Sequence, residues 1–468
     1  MVTTHKPSLP VLAVLVVLIA SAAIVRFDAV LAYDKPLKFD SYFHARVAAI
    51  YNPLPPTEIP WPEGGRPNFY PPVYHYVLLF SSAIFGDALQ ASRFVLPFAG
   101  VLTVLAVFLL VRRFKGDDAA LIAALFAAIS PHAIAGSYDS PQGIGLLLSI
   151  PAFYLLYKGK ALLSGIMLAV IFLTDPFPAA YFAVAATVTV LWTMKKARGK
   201  SLLLLLAPPA LAMAGWFASH SNAFSCMTNS IGTYFLGLVG FIWMDQESPI
   251  IFIAVAVGLY FLYRERRSIG FFEKFWLAWV LMGAVLYFSY PLSSYFHPWR
   301  QNAFLLFGFY IMLPGVLLNI RWKLLRALFL LTFLALAASS SLVVTLSGSL
   351  SPPLDPNDYV AMDWLARDTS RQLLAHPDFC AGYQTLKNKS CLMDIYLECI
   401  PDKQKWFDLE NVYYSGSREP IISALDKYGI RRLVYQDKLP FPPDAAGFDK
   451  VYTAWSLPRY TPESVYER

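Results

Sequence analysis

Several acidic residues of this chain fall at the edges of long apolar runs. Asp40 lies in Phe39-Asp40-Ser41-Tyr42-Phe43-His44-Ala45-Arg46, and Asp139 in Gly136-Ser137-Tyr138-Asp139-Ser140. Asp245 and Glu247 lie in Asp245-Gln246-Glu247-Ser248-Pro249, and an arginine closes His297-Pro298-Trp299-Arg300. Carboxylates gathered from separate segments make a hard oxygen-donor set of the kind that Mg²⁺ or Mn²⁺ takes, with water and phosphate completing the shell. A guanidinium beside them would clamp phosphate oxygens bidentately. Each residue also has a plainer use. Asp40, Asp139 and Asp175 stand before helical patterns and suit an N-cap, Asp175 most of all because Pro176 follows it. Glu247 suits the first turn of a helix, Asp245 a solvated loop, and His44 a packed or hydrogen-bonded helix position. Arg300 suits a snorkelling role at a membrane edge. Their common sidedness is what raises them above these uses.

That sidedness depends on the elements between them. Of 468 residues, 57% are hydrophobic and only 15% charged, against about 25% charged in soluble domains. This excludes a disordered chain, a collagen and a disulfide-stapled secreted module, and implies a mainly α polytopic membrane protein. The net charge of +7 belongs to cytoplasmic loops in such a chain, rather than to nucleic-acid binding. Four cysteines without C-x-x-C spacing argue against a zinc or thioredoxin-like site.

Apolar runs give about eleven crossings: residues 9–25, 94–111, 119–135, 143–157, 161–174, 177–194, 202–218, 250–263, 275–290, 303–318 and 324–346. Two shorter stretches, 73–85 and 231–244, are ambiguous. Basic clusters at Arg112/Arg113/Lys115, Lys158/Lys160, Lys195/Lys196/Arg198/Lys200, Arg264/Arg266/Arg267 and Arg321/Lys323/Arg326 resolve them. All five fall inside, with the N-terminus, only if neither short stretch crosses. Both are therefore interfacial or re-entrant, and the C-terminus lies outside. Val30-Leu31-Ala32 loosely fits a signal-peptide cleavage site, but the apolar core before it is long for one, so the first span is an uncleaved anchor.

After residue 346 the composition changes. Residues 347–358 read as a linker rich in Ser, Pro and Gly, and residues 359–468 as a small α/β domain outside the membrane. Helical patterns cover 359–366 and 421–428, with Gly429 as a C-cap, and Leu433-Val434-Tyr435 reads as a strand. Cys380, Cys391 and Cys399 lie here; one disulfide is permitted, but the pairing is not readable. Asn388-Lys389-Ser390 is a sequon compatible with an outer location.

The loops taken together resemble the catalytic subunit of oligosaccharyltransferase, a family with the glycosyltransferase C fold. Phe39-Asp40 through Arg46 is similar to its F-D-x-Y-F-x-x-R, Tyr70-Pro71-Pro72 to its Y-P-P, and Ala135 to Ser140 to its A-G-S-F/Y-D-N. Glu247 before Pro249 and Arg300 at the start of a later span match by position. The resemblance covers roughly residues 1–330. It implies that Asp40, Asp139 and Glu247 hold Mn²⁺ or Mg²⁺, that Arg300 binds the phosphates of a polyprenyl-linked sugar donor in the membrane lipid, and that Asp40 and Glu247 engage a protein or peptide acceptor. Arg46, His44, Asp245 and Trp299 are secondary candidates beside them. Two departures stand out: Pro141 replaces the second acid of the second loop, and of W-W-D-Y-G the aligned stretch Asp378 to Gln384 keeps only Gly382-Tyr383-Gln384.

Three functions follow: transfer of a glycan to protein asparagine; transfer by the same fold to a lipid, glycan or hydroxyl acceptor; or transport through two broken helices. Transport places ionisable groups near the bilayer midplane, whereas these acids sit in outer loops. The topology predicts that a cysteine at position 86 reacts with an impermeant maleimide added outside, whereas one at 118 reacts only after permeabilisation. Inner labelling of position 86 would mean that 73–85 crosses.

Overall fold

The computed structural model describes residues 7–36, 39–59, 66–130, 133–134, 141–193, 198–221, 269–288, 298–318, 356–367, 373–375, 377–387, 391, 418–428, 430, 432–436, 449–454 and 463–467. The expected spans at 250–263 and 324–346, the stretch 231–244 and most of the linker lie outside these residues, as does Gly429.

Most of the described chain is helical. It begins with α1 (Leu9–Ala32), α2 (Phe39–Ala49), the short antiparallel pair β1 (Glu58–Ile59) and β2 (Arg66–Pro67), then α3 (Val73–Phe85) and α4 (Ala88–Lys115). There follow α5 (Asp117–Ile129), α6 (Gln142–Tyr157), α7 (Ala161–Thr174), α8 (Pro176–Thr193), α9 (Arg198–Ser219), α10 (Phe271–Phe288) and α11 (Pro298–Leu318). Among the described residues α1, α4, α8 and the Gly199–Ser219 part of α9 are each long and apolar enough to cross a membrane, and α3, α6, α7 and the Ala303–Gly315 part of α11 are shorter apolar helices. Val16, Val17 and Ile24 on α1 and Leu203 and Leu211 on α9 point their side chains outward. Apolar residues all round a helix are what hydrocarbon solvates and water does not. The chain is a membrane protein.

Polar contacts fix which helix ends lie together. Arg93, near the start of α4, donates through Nη2 to the Val30 carbonyl at 2.6 Å, and also to Tyr33. The end of α1 and the start of α4 therefore lie together. The turn from α3 into α4 runs through Gly86, whose φ of 98° strains any other residue. A cysteine label is therefore better placed at the exposed Asp87 beside it. Buried Arg26 of α1 donates to the carbonyls of Ala127 at 2.9 Å and Ala128 at 3.0 Å, tying the far end of α5 to that part of α1. A cation there also suits the negative end of the α5 dipole. At the opposite end Arg112 pairs with Asp117 at 2.6 Å, and Lys115 pairs with Glu273 of α10.

The C-terminal part contains α12 (Pro356–Leu365), α13 (Pro377–Lys387) and α14 (Arg418–Lys427), with a four-stranded sheet of β3 (Leu373–Leu374), β4 (Arg432–Gln436), β5 (Asp449–Ala454) and β6 (Glu463–Glu467). Strand order is β3-β4-β6-β5, parallel between β3 and β4 and antiparallel elsewhere. These elements cover the helices and the strand expected at 359–366, 421–428 and 433–435. Cys380 and Cys391 form a disulfide, which chooses among the open pairings. Met362, Leu374, Tyr383, Leu425 and Val465 build a core of their own, and it includes Tyr42 of α2.

Inside the bundle, small residues let backbones approach, as membrane helices require. A Cβ at Gly165 of α7 would stand 2.5 Å from the Leu204 carbonyl oxygen and 2.6 Å from that of Leu205, both on α9. Backbone cannot yield as a side chain tip does, so Gly165→Ala should destabilise by about 1–3 kcal/mol. Gly199→Ala, with nothing within 4 Å, is the control and should melt like the parent in detergent. Equal melting of the two variants would refute the close α7–α9 approach.

Candidate active site

The candidate site begins with α2, which carries Asp40 in its first turn and Arg46 in its last, each at the end the helix dipole favours. Asp40 is inside the helix rather than at the cap position considered for it. Asp175 does act as the expected cap: its Oδ1 accepts from the Phe177 N–H at 2.8 Å. The rest of α2 is enclosed. Tyr42 enters the core of the C-terminal elements, Ala45 and Ala48 pack with Tyr74 and Leu78 of α3 and with Ala91 of α4, and Phe43 and Val47 pack with Tyr51 and Ile59. Half-buried Asp40 is thus held on a helix fixed from three sides.

Beneath it lies a buried polar chain. His44 Nδ1 meets His75 Nε2 at 3.0 Å, and His75 Nδ1 meets the Tyr51 hydroxyl at 2.8 Å. Burial disfavours imidazolium, so His75 is pulled down to about 3, and His44 lies well below the usual histidine value, with His75 adding to the effect. Both rings are neutral. Tyr70 and Tyr74 stand edge-on to His44, with centroids at 4.9 and 5.1 Å. His44 therefore has the packed, hydrogen-bonded role considered for it in the sequence. Tyr74 is fully enclosed, yet its hydroxyl meets no hydrogen-bond partner among the described residues.

Arg46 reaches the other way. Its Nη1 donates to Gln384 Oε1 on α13, and Gln384 Nε2 donates in turn to the Cys391 carbonyl at 3.1 Å. The last residue of the F-D-x-Y-F-x-x-R stretch therefore joins the membrane helices to the C-terminal elements through a helix stapled by the Cys380–Cys391 disulfide.

Asp139, Asp245 and Glu247 lie outside the described residues. Trp299 and Arg300 occupy the first turn of α11, and only their backbone is described. Among the described residues no group of three or more metal-ligating side chains is gathered. A cavity of about 60 Å³ opens between α1, α4, α5, α6 and α11. Leu96, Val107, Leu146 and Phe307 make it apolar, and Arg26 and Gln142 give it a polar end. In sequence Ala303 and Phe307 on its wall follow Arg300 at helical spacing, and Gln142 follows Asp139 closely. Sequence reasoning did not single out His75, Tyr74 or Arg26, and it named Gln384 only within the Gly382-Tyr383-Gln384 stretch. The signal for Tyr74 and His75 was their place directly after Tyr70-Pro71-Pro72.

Residues 70–220 match the family model described as dolichyl-phosphate-mannose-protein mannosyltransferase. Among solved structures, the chain is similar to the Archaeoglobus fulgidus oligosaccharyltransferase, tethered with an acceptor peptide containing the NVT sequon. The TM-score is 0.65 at 14% identity, over 91% of this chain and 69% of that one. The chain has the fold of these C-type glycosyltransferases. Other structures of the archaeal enzyme hold zinc and sulfate, or an inhibitory peptide and a dolichol-phosphate. ArnT from Cupriavidus metallidurans matches with a TM-score of 0.52 at 13% identity, over 96% of this chain and 97% of that one. The arabinofuranosyltransferase AftD from mycobacteria matches with a TM-score of 0.53 at 16% identity over 97% of this chain, which spans only 39% of AftD. No curated protein matches. These likenesses give the fold, and the family match covers residues 70–220 of the 468.

The buried histidines set a pH dependence. The unfolded chain binds protons below about pH 6.5 that folded His75 refuses until about pH 3, so this contribution is intact above pH 6.5 and is lost as pH falls. Melting curves should show a loss approaching about 1.4 kcal/mol per pH unit for each such histidine below pH 6. His75→Phe should be less stable at pH 7.5 but have a shallower slope; an unchanged slope would show that His75 is not buried neutral.

Proposed function

We propose that this chain is an oligosaccharyltransferase-like enzyme that moves a glycan from a polyprenyl-(pyro)phosphate donor to protein asparagine, on the outer face of the membrane and with a divalent cation. The observation that carries it is α2. The stretch Phe39-Asp40 to Arg46, similar to that family's motif, forms a helix wedged between the bundle and the C-terminal elements. In this proposal the N-terminus is cytoplasmic, residues 1–346 form the membrane domain, 347–358 the linker and 359–468 the outer domain.

The donor set fits a hard cation: Asp40, Asp139 and Glu247 are carboxylates, with no sulfur ligand among them. Mn²⁺ or Mg²⁺ held there would supply Lewis-acid stabilisation of the departing phosphate. The chain's own residues do the remaining work. An anionic leaving group beside hydrocarbon is costly, and Arg300 clamps it bidentately. The apolar cavity below α11's first turn receives the first isoprene units of the carrier. Asp40 and Glu247 orient the acceptor amide nitrogen, a poor nucleophile, for in-line attack at the anomeric carbon, and the configuration inverts.

One observation favours a second reading, a hydroxyl acceptor on a lipid or glycan. Of Gly382-Tyr383-Gln384, Tyr383 is only 3% exposed and Gln384 6%, and Gln384 is engaged with Arg46 and Cys391. These side chains face inward and leave little to read an acceptor peptide. A hydroxyl needs only a general base, which Asp40 supplies.

Purified protein with Mn²⁺, a lipid-linked oligosaccharide and a fluorescent Asn-x-Thr peptide should yield glycopeptide. Asp40→Ala and Glu247→Ala should each lower the rate at least about a hundredfold, and Arg300→Ala should weaken donor use. Donor consumption with a lipid or sugar acceptor, and no glycopeptide, would select the second reading. Substrate flux in liposomes without bond cleavage would refute both.

A further inference from the structure

Tyr74 carries a polar group that the described residues leave unused. The side chain is 1% exposed, and its hydroxyl has no hydrogen-bond partner among the described residues. Its ring stands edge-on to His44 at 83°, a contact that phenylalanine would make equally well. A buried hydroxyl without a partner costs stability, so packing does not explain this one. Tyr51 is the contrast. Also buried and also beside the histidines, it spends its hydroxyl on His75 Nδ1 at 2.8 Å.

Position says what the unused hydroxyl is for. Tyr74 lies on the first turn of α3, directly after Tyr70-Pro71-Pro72, and packs against the helix that carries Asp40. The Asp40 carboxylate is near enough to act on it electrostatically. A phenol hydroxyl is a hydrogen-bond donor, and with no acceptor among the described residues the acceptor oxygen must arrive with the ligand. We propose that the Tyr74 hydroxyl is a binding group of the loaded site, donating a hydrogen bond to a phosphate oxygen of the polyprenyl-linked donor. This deepens the function proposed above and rests on it.

Thermal melts of the full chain in detergent with Mn²⁺ test it, comparing wild type, Tyr74→Phe and Tyr51→Phe. Without ligand, Tyr74→Phe should melt at or above the wild-type temperature, whereas Tyr51→Phe should melt lower. A short-chain polyprenyl phosphate should raise the wild-type midpoint, and Tyr74→Phe should need roughly tenfold or more of it for the same rise. The corresponding prenol should act equally on both proteins. Inorganic phosphate giving the same Tyr74-dependent rise would support the hydrogen bond and assign it to the anion alone. A resting loss in Tyr74→Phe as large as in Tyr51→Phe, or identical polyprenyl phosphate titrations of Tyr74→Phe and wild type, would overturn the assignment while leaving the proposed function standing. No response of wild type to polyprenyl phosphate would overturn the function itself and this inference with it.

Discussion

A carboxylate at the edge of a membrane keeps its position only if the backbone beneath it is enclosed, and α2 meets that condition through Tyr42, Ala45 and Val47. Those side chains point into different cores, so α2 cannot shift without opening a packed surface on some side. Eleven residues give too little helix to stand alone. Tertiary burial supplies the stability, and the position of Asp40 is a by-product of it. The remaining architecture serves this arrangement: α3 and α4 form one wall, and the C-terminal helices close the other.

Buried polar groups around α2 explain why the arrangement is specific as well as stable. Arg26 and Arg93 spend their guanidinium N–H groups on the exposed carbonyls of neighbouring helix ends. His44, His75 and Tyr51 satisfy one another in a line, neutral because ionisation under burial is too costly. Each contact joins segments far apart in sequence, and each is lost if a helix slides by a turn. Apolar surface alone would permit many such slides, since lipid and leucine are equivalent solvents. The polar contacts select one register.

The sequence showed part of this plainly. Charge clusters at Arg112/Arg113/Lys115 and beyond bore on the sidedness of the apolar runs, and the Arg93–Val30 contact joins the end of α1 to the start of α4. Asp40 before a helical pattern and His44 at a helix position made α2 legible, and Asp175 before Pro176 announced its cap. What the sequence did not reveal shares one cause. Arg46 and Gln384 are separated by 338 residues, and the partners His44 and His75 by 31. No periodicity or local composition records such contacts, because neither helix propensity nor burial pattern depends on the identity of the distant partner. The Cys380–Cys391 pairing was open for the same reason.

Arg46 shows what that blindness hides. As the last residue of a catalytic-looking stretch it reads naturally as a group facing substrate, yet its guanidinium meets Gln384 on α13. Gln384 is itself tied to the Cys391 carbonyl, inside a loop closed by the disulfide. One helix thus carries Asp40 near one end and is anchored to the C-terminal elements at the other. Acceptor and donor chemistry in a glycosyl transfer must be aligned along one line of attack. A helix that touches both the membrane bundle and the C-terminal elements is a simple device for holding such groups in register.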